Sequence, residues 1–585
     1  MPLKVTAKKW KIIGSPGCSF TSPVNSLAIP APILTILANR GIIGPIEIKH
    51  FLSPSFEQLP APQLLMGLNQ AVGILVEARL RRTPVVIYGD YDADGVTATA
   101  LLVKFFREID LPVSHFIPDR MNDGYGLNSD SLILLRNLPD IAGHPSPILL
   151  TVDCGITSIA EVAAARALGF RVIITDHHLP GPELPAAEAI INPQQSGCAF
   201  PFRELAGVGV AFFLAAGLRK ELIDSGIWLE SAPPNLKKYL DLVAIGTVAD
   251  MVPLRGVNRI LVKGGLEVIN QSPSLGVKAL ISQNDSKLSK ITSETIAFYL
   301  APKLNAAGRI GSAEEALQLL LADSEESACG LADFLGQANQ VRKDLTENMY
   351  NEARIQAEKQ HVEGRLVCIV AGDNWHQGIV GLVASRLVKE YSRPAVAFSF
   401  EKEGLLRGSI RSIAKIDIHN CLQECADILE KFGGHHQAAG LTLRVENYDE
   451  FQARFSDSIG KAMSHAEVED ILEIDMAANP NEITSASVLK YLSLLEPSGN
   501  GNQGPIFCCH PNGIRLLHAK KVGTGSMRFK VAGNGGEIKG IGFGLAEWVS
   551  HAERHPVSIA YRICRSDYRG EESWEIRVED IKEVS

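Results

Sequence analysis

A chain of 585 residues is too long for one compact core and divides into roughly three or four domains. An apolar share of 46% against 21% charged residues excludes disorder as the starting point. The net charge of −9 weighs against coating nucleic acid by bulk electrostatics, so any such contact has to use a local groove. Residues 1–10 carry lysines without an apolar h-region or a small-residue cleavage site, and the most apolar run, 205–218, is too short to cross a bilayer. These features read as a cytoplasmic protein without membrane attachment. The ten cysteines have no zinc-type spacing, with Cys421/Cys425 and Cys508/Cys509 the close pairs, and read as reduced thiols.

From residue 83 the chain repeats a strand-then-helix rhythm. The apolar run 84–88 precedes a helix-compatible 95–108, 148–152 precedes 158–168, and 171–175 and 189–191 continue the pattern. Short β-branched runs separated by helices predict a parallel sheet covered on both faces, an α/β domain whose function gathers beyond the C-terminal strand ends. Residues 324–360 hold no proline and predict a helix connecting two domains, with Gly330 and Gly336 as the place for a break. A second, smaller α/β stretch opens at 365–370 and closes with the glycine-rich 432–440. Beyond about residue 467, short strands are predicted at 514–522, 527–532, 538–543, 557–564 and 574–578, with a turn at 533–536 and a helix near 545–552. This pattern is compatible with a small β-barrel such as an OB-fold, and a sandwich gives similar spacing.

Asp90, Asp92 and Asp94 crowd together directly after the first strand, where they repel one another unless a cation neutralises them. On its own such a run is a solvated acidic turn or a helix cap. The same event recurs, however. Asp153 follows 148–152, Asp176, His177 and His178 follow 172–175, and Asp250 follows the apolar 242–248. Clusters at the ends of four strands of one sheet predict a metal site. Several carboxylates, one or two imidazoles and no thiolate suit Mn²⁺ or Mg²⁺ better than structural zinc, and the ligands are more than one ion needs. Two ions about 3.5–4 Å apart can share a carboxylate, activate a water and stabilise the leaving oxygen of a phosphoester.

The order Asp-x-Asp, lone Asp, Asp-His-His, further Asp is similar to the signature of the DHH phosphoesterase superfamily. The resemblance implies that Asp92, Asp94, Asp153, His177 and Asp250 ligate two divalent cations, Mn²⁺ or Mg²⁺, with Asp153 as the bridge. It implies that Asp176 and His178 orient the ligands or assist proton transfer, and it leaves direct ligation by Asp90 open. Tyr88 stands where some relatives carry a histidine, so no ligand is expected from it. Gly433, Gly434 and His435 resemble the motif of a DHHA1 domain, which implies backbone close to a substrate phosphate and a catalytic histidine at the scissile phosphate.

The stretches 117–120, 304–309 and 407–412 resemble motifs of the RecJ type within that superfamily. They imply Arg120, Ser409 and Arg411 around the 5′ end of a strand and Arg309 on its backbone, although each arginine alone is an ordinary surface ion-pair partner. Residues 495–505 resemble the approach to the RecJ OB-fold, with Ser498 and Gln503 where the family more often has Phe and Pro. Lys520, Lys521, Arg528, Phe529 and Lys530 are candidate strand contacts, although alternation assigns Phe529 to the core.

The resemblance implies an N-terminal extension at 1–80 packed on a DHH metal domain at 81–323, a connecting helix at 324–360, a DHHA1 domain at 361–464 and an OB-fold domain at 465–585, with no further C-terminal domain. The expected function is a 5′→3′ exonuclease that degrades single-stranded DNA to 5′ mononucleotides in DNA repair and recombination. The expected enzyme is a monomer working with a single-strand-binding protein and a helicase. The alternatives are a DHH oligonucleotide or phosphoadenosine phosphatase, against which length and the OB-like region weigh, and a non-catalytic replication scaffold, against which the full ligand set weighs.

Overall fold

The computed structural model describes residues 8–14, 28–120, 124, 126–228, 232–283, 290–413, 416–464, 471–523, 525–568 and 571–584. The expectations placed on residues 1–7, and the start of the C-terminal region at 465–470, lie outside the described residues.

Strands β1 (Val85–Gly89), β2 (Val113–Phe116), β3 (Ile148–Val152), β4 (Arg171–Thr175) and β5 (Ala189–Ile191) form an all-parallel sheet in the order β2-β1-β3-β4-β5. Every residue of β1 and β3 is buried, because helices cover both faces, and this explains the continuous apolar runs. On one face Val85, Ile87 and Leu150 pack with residues of the helices α1 (Ala93–Glu108), α2 (Gly207–Asp224) and α3 (Leu240–Ala249), among them Phe105, Phe213 and Ile245. On the other, Val86, Leu149 and Ile174 pack with Leu132 and Val162. Register then positions the chemistry. Gly89 lies opposite Val152 and Val152 opposite Thr175, so the next residues, Asp90, Asp153 and Asp176, emerge side by side from one sheet edge.

One expectation is corrected here. Residues 242–248 belong to α3 rather than to a strand, and Asp250 caps that helix at its C-terminus. Leu240 to Val248 are buried on every side, and a run apolar all round reads the same for a buried helix and a buried strand.

Helix α4 (Ala301–Ile310) leads to the long helix α5 (Glu325–Val362), whose 38 residues run without a break. Gly336 serves packing there, since a Cβ on it would lie 2.8 Å from Gln283 Oε1. The second body is a mixed sheet in the order Leu429–His435, Ala438–Arg444, Leu405–Arg411, Ala395–Phe400 and Cys368–Gly372. The C-terminal body is a mixed seven-stranded sheet dominated by the pair Val557–Tyr568 and Glu571–Glu583, and it contains two short strands, Met476–Ala477 and Phe507–Cys508, that the pattern did not predict.

The N-terminal segment divides between two cores. Helices Ala31–Asn39 and Pro45–Leu52 bury Ile33, Leu37, Ile48 and Leu52 among Phe507, Trp548 and Tyr561 of the C-terminal body, and strand Lys9–Ile12 pairs with Ile471–Ile474. The part from Leu65 to Ala78, with Phe56 and Leu59 against it, packs with the core of the parallel-sheet domain, so among the described residues the segment is shared between two bodies where one extension packed on that domain is expected. Among the described residues no single helix is long and apolar enough to cross a membrane.

Candidate metal centre

Asp92 caps α1, its Oδ1 accepting from Asp94 N at 2.9 Å and Gly95 N at 3.2 Å. Asp94, buried in the first turn, accepts from Gly207 N at 2.6 Å and Val208 N at 2.9 Å, so the positive end of α2 also faces its carboxylate. Asp153 takes a left-handed backbone (φ 63°) just after β3. His177 Nε2 lies 3.1 Å from Asp153 Oδ1, 3.6 Å from Asp250 Oδ2 and 4.0 Å from Asp94 Oδ2. Asp176 accepts from Ile156 N, His177 N and His178 N at 2.9, 2.7 and 3.0 Å and pairs with His178 Nδ1 at 2.7 Å. Ligand atoms fall into three sets, each within 4.8 Å: Asp153 with His177 and His178, Asp94 with His177 and Asp250, and Asp90 with Asp92 and Asp153. Asp153 joins two of them.

The electrostatics call for cations. Burial, reinforced by neighbouring carboxylates, pushes Asp90, Asp153 and Asp250 well above the ordinary carboxylate range, and burial with Asp92 raises Asp94 to about 7. Burial, with His178 beside it, lowers His177 to about 4, which leaves a neutral imidazole suited to ligation. Burial also pulls on His178, but its hydrogen bond to Asp176 outweighs that and raises the group to about 9. Burial acts to raise Asp176, and the His178 bond reverses the outcome, leaving it below its usual value. Asp90 Oδ1, His177 Nε2 and Asp250 Oδ2 are buried with no hydrogen-bond partner among the described residues. Asp250 further sits at the negative end of α3, where a bare carboxylate is disfavoured. An oxygen-rich donor set with one or two imidazoles fits hard divalent cations.

A cationic cluster lies where the second body meets the first. Arg411 Nη1 donates to Ser409 Oγ at 2.8 Å, and a Cβ on Gly381 would lie 3.0 Å from Arg411 Nη2 and 3.1 Å from that Oγ. Arg309, near the end of α4, donates to Gly378 O at 3.3 Å, and a Cβ on Gly378 would lie 2.1 Å from Arg309 O, so the two bodies touch backbone to backbone. The Arg120 guanidinium stands 5.2 Å from the Tyr91 ring. Burial lowers Arg309 to about 10, with Arg120, Arg342 and Arg411 acting in the same direction, and burial with Arg120 lowers Arg411. Guanidiniums gathered within mutual repulsion suit a shared anion. His435, exposed at the end of the glycine-rich strand, is lowered by partial burial and then by His178. A Cβ on Gly433 would meet open space, whereas on Gly434 it would run into Ala438 O at 2.4 Å.

Residues 84–247 match the model of the DHH family, N-terminal domain, residues 364–461 that of the DHHA1 domain, and residues 474–580 that of the RecJ OB domain. The single-stranded-DNA-specific exonuclease RecJ of Salmonella typhimurium is 37% identical over 571 residues, which cover 94% of this chain and 96% of that protein. The chain belongs to the RecJ family. The RecJ of Bacillus subtilis is 34% identical over 542 residues, 92% of this chain and 66% of its own length. Crystal structures of Thermus thermophilus RecJ in complex with Mn²⁺ and with Mg²⁺ align over 99% of this chain, covering 80% and 79% of those chains, with TM-scores of 0.82 and 0.76 at 28% and 27% identity.

Against this RecJ background, some residues of the site carried no signal in the sequence. A Cβ on Gly207 would lie 2.6 Å from Asp153 Oδ1, and one on Gly246 would lie 2.8 Å from Asp94 Oδ1, so both glycines make room for carboxylates distant in the chain. Asn305, inside the RecJ-like stretch 304–309, accepts from Ala93 N at 2.8 Å and steadies the start of α1. His376, lowered by burial and by Arg120, also belongs to the cationic side. Among the OB-domain candidates, Phe529 is only 3% exposed, as alternation implies, and Lys530 pairs with Glu537 at 2.7 Å.

Proposed function

We propose that this chain hydrolyses single-stranded DNA from its 5′ end, releasing 5′ mononucleotides, with two divalent cations, Mn²⁺ or Mg²⁺, held by Asp92, Asp94, Asp153, His177 and Asp250. The observation that carries this reading is the gathering of Asp90, Asp153 and Asp176 at one sheet edge, with His177 Nε2 facing three carboxylates within 4.0 Å. Asp153, common to two ligand sets, would serve both cations, and Asp90 would add an oxygen to one of the sets. When bound, the cations supply an activated water and charge to meet the leaving oxygen.

The chain's own residues do the rest. Arg120, Ser409 and Arg411 grip the terminal 5′ phosphate and so fix which phosphodiester reaches the centre, and Arg309 holds the backbone. Gly433 and Gly434 let the main chain approach the strand, with His435 at the scissile phosphate. Asp176 fixes His178 through Nδ1 and so orients it to assist proton transfer at the leaving oxygen. The reading extends to a cytoplasmic monomer acting in DNA repair and recombination alongside a single-strand-binding protein and a helicase.

The test is hydrolysis of matched single- and double-stranded DNA and RNA, labelled at either end, with Mn²⁺ or Mg²⁺. Mononucleotides from the 5′ end of single-stranded DNA are expected. Release from the 3′ end, or no metal-dependent hydrolysis, would overturn the reading.

A further inference from the structure

Asp250 reaches the centre from the C-terminus of α3, and the chain leaves it through an irregular turn, residues 251–254. Met251 N donates to Val248 O at 3.3 Å and Met251 takes φ 61°, a left-handed conformation that a non-glycine residue keeps only where its surroundings impose it. Those surroundings come from far along the chain. Asn500 Nδ2 donates to Met251 O at 2.6 Å, and Asn500 O accepts from Leu254 N at 2.7 Å, so one residue ties both ends of the turn.

The loop around Asn500 is built for this approach. A Cβ on Gly499 would lie 2.6 Å from Leu254 Cδ1, and one on Gly501 would lie 2.8 Å from Pro253 Cβ, so both neighbours press directly on the same turn. The loop is itself anchored. Arg259 donates to Leu494 O at 2.8 Å and Leu495 O at 3.0 Å, Asn502 Nδ2 to Leu495 O at 2.9 Å and Pro497 O at 2.7 Å, and Ser293 Oγ to Ser498 O at 2.6 Å.

We propose that Asn500 is a positioning residue for the metal centre, locking the turn so that the Asp250 carboxylate stays aimed at His177 and Asp94. The proposal rests on Asp250 being a cation ligand. Asp250 stands within ligand distance of His177 and Asp94, and the turn that follows it fixes the end of α3 from which its carboxylate projects. Without the Asn500 donor, Met251 relaxes towards ordinary backbone angles and the carboxylate swings away from its partners. Through the same loop, the stretch leading into the C-terminal strands fixes cation geometry.

Calorimetric Mn²⁺ titration of the full chain and of Asn500→Ala, Asn500→Asp and Asp250→Asn tests this. Asn500→Asp keeps the side-chain shape but removes the donor, and its added negative charge would by itself tighten cation binding, so weakening reports lost geometry. Both Asn500 variants are expected to weaken Mn²⁺ binding about tenfold, the scale of losses when a group supporting a ligand is removed. Metal-free binding of a labelled single strand should stay within about twofold of the parent. Mn²⁺ affinity within about twofold of the parent in both Asn500 variants, with Asp250→Asn weakened, overturns the proposal. Weakening confined to Asn500→Asp also overturns it, because repulsion from Met251 O then explains the effect. Parental affinity in Asp250→Asn removes Asp250 as a ligand, and that result sinks the reading on which the proposal stands.

Discussion

His177 Nε2 stands 3.1 Å from Asp153 Oδ1, two groups delivered just beyond the ends of adjacent strands β4 and β3. The imidazole is neutral, lowered to about 4 by burial and His178, and burial with Asp94 holds the carboxyl well above its usual range. Neither relieves the other, and a divalent cation held between them would turn the contact into ligation. Asp153→Asn and His177→Ala are each expected to abolish the rise in Tm on adding Mn²⁺ and to slow strand hydrolysis by at least about 10³-fold, ~4 kcal/mol of barrier. Asp153→Asn should leave the metal-free chain at least as stable as the parent, because a repelling buried carboxyl is gone. Thermal melts with and without Mn²⁺, beside nuclease rates, check this. A parental Mn²⁺ shift in either variant removes that residue from the centre.

The pH dependence has a definite sign. For Asp94, with a folded value of about 7 against 3.8 for an unperturbed group, the folded state holds a proton that the unfolded state has lost, so stability falls as pH rises between the two. His178, raised from 6.5 to about 9, contributes stability below 6.5 that is lost as pH rises through about 9. His177, lowered from 6.5 to about 4, acts oppositely, but only below 6.5. Above 6.5 the trends therefore agree: the Tm of the metal-free chain should fall from about pH 6.5 to about pH 8.5. The Mn²⁺-induced rise in Tm should grow over the same interval, because fewer protons compete for the carboxylates. Melts in matched buffers measure both, and a rise that shrinks with pH contradicts the coupling.

How far the sequence reveals this arrangement depends on what kind of fact is asked of it. Asp90, Asp153 and Asp176 are legible because each ends an apolar run of a parallel sheet, and parallel strands in register bring their ends level. Asp250 is legible as an acid after an apolar run, yet its helix is not, since α3 is buried all round and shows no amphipathic period. Gly207 and Gly246 are opaque, because the space they clear is occupied by Asp153 and Asp94 from elsewhere in the chain. Ile33 and Ile48 mark themselves as core residues, but nothing local says that their core is that of Phe507 and Trp548.

Gly207 allows a packing test. A Cβ there would lie 2.6 Å from Asp153 Oδ1 and 2.7 Å from its Cγ, while Gly207 N is the donor that holds Asp94 Oδ2 at 2.6 Å. Gly207→Ala is therefore expected to destabilise the chain by about 1–3 kcal/mol, the usual scale of overpacking, and to weaken Mn²⁺ binding. Denaturant melts and Mn²⁺ calorimetry check the two effects separately. Parental behaviour in both would mean that Asp153 has room to move.

Arg411 tests whether the cationic cluster reads the strand terminus. Its guanidinium is held on Ser409 Oγ at 2.8 Å and is lowered by burial and by Arg120, so it gains from an anion that satisfies both arginines. Losing a hydrogen bond to a charged group removes about 1.5–3 kcal/mol, roughly a 10- to 100-fold effect. Arg411→Ala should raise KM by that factor for a strand carrying a 5′ phosphate, with kcat little changed, and should hardly affect a strand ending in a 5′ hydroxyl. Arg411→Lys should not restore the difference, since an ammonium cannot reproduce the planar fork that reaches both Ser409 and a phosphate. Steady-state kinetics on the matched pair of strands decide the matter: an equal loss on both would place Arg411 on the strand backbone instead of at its end.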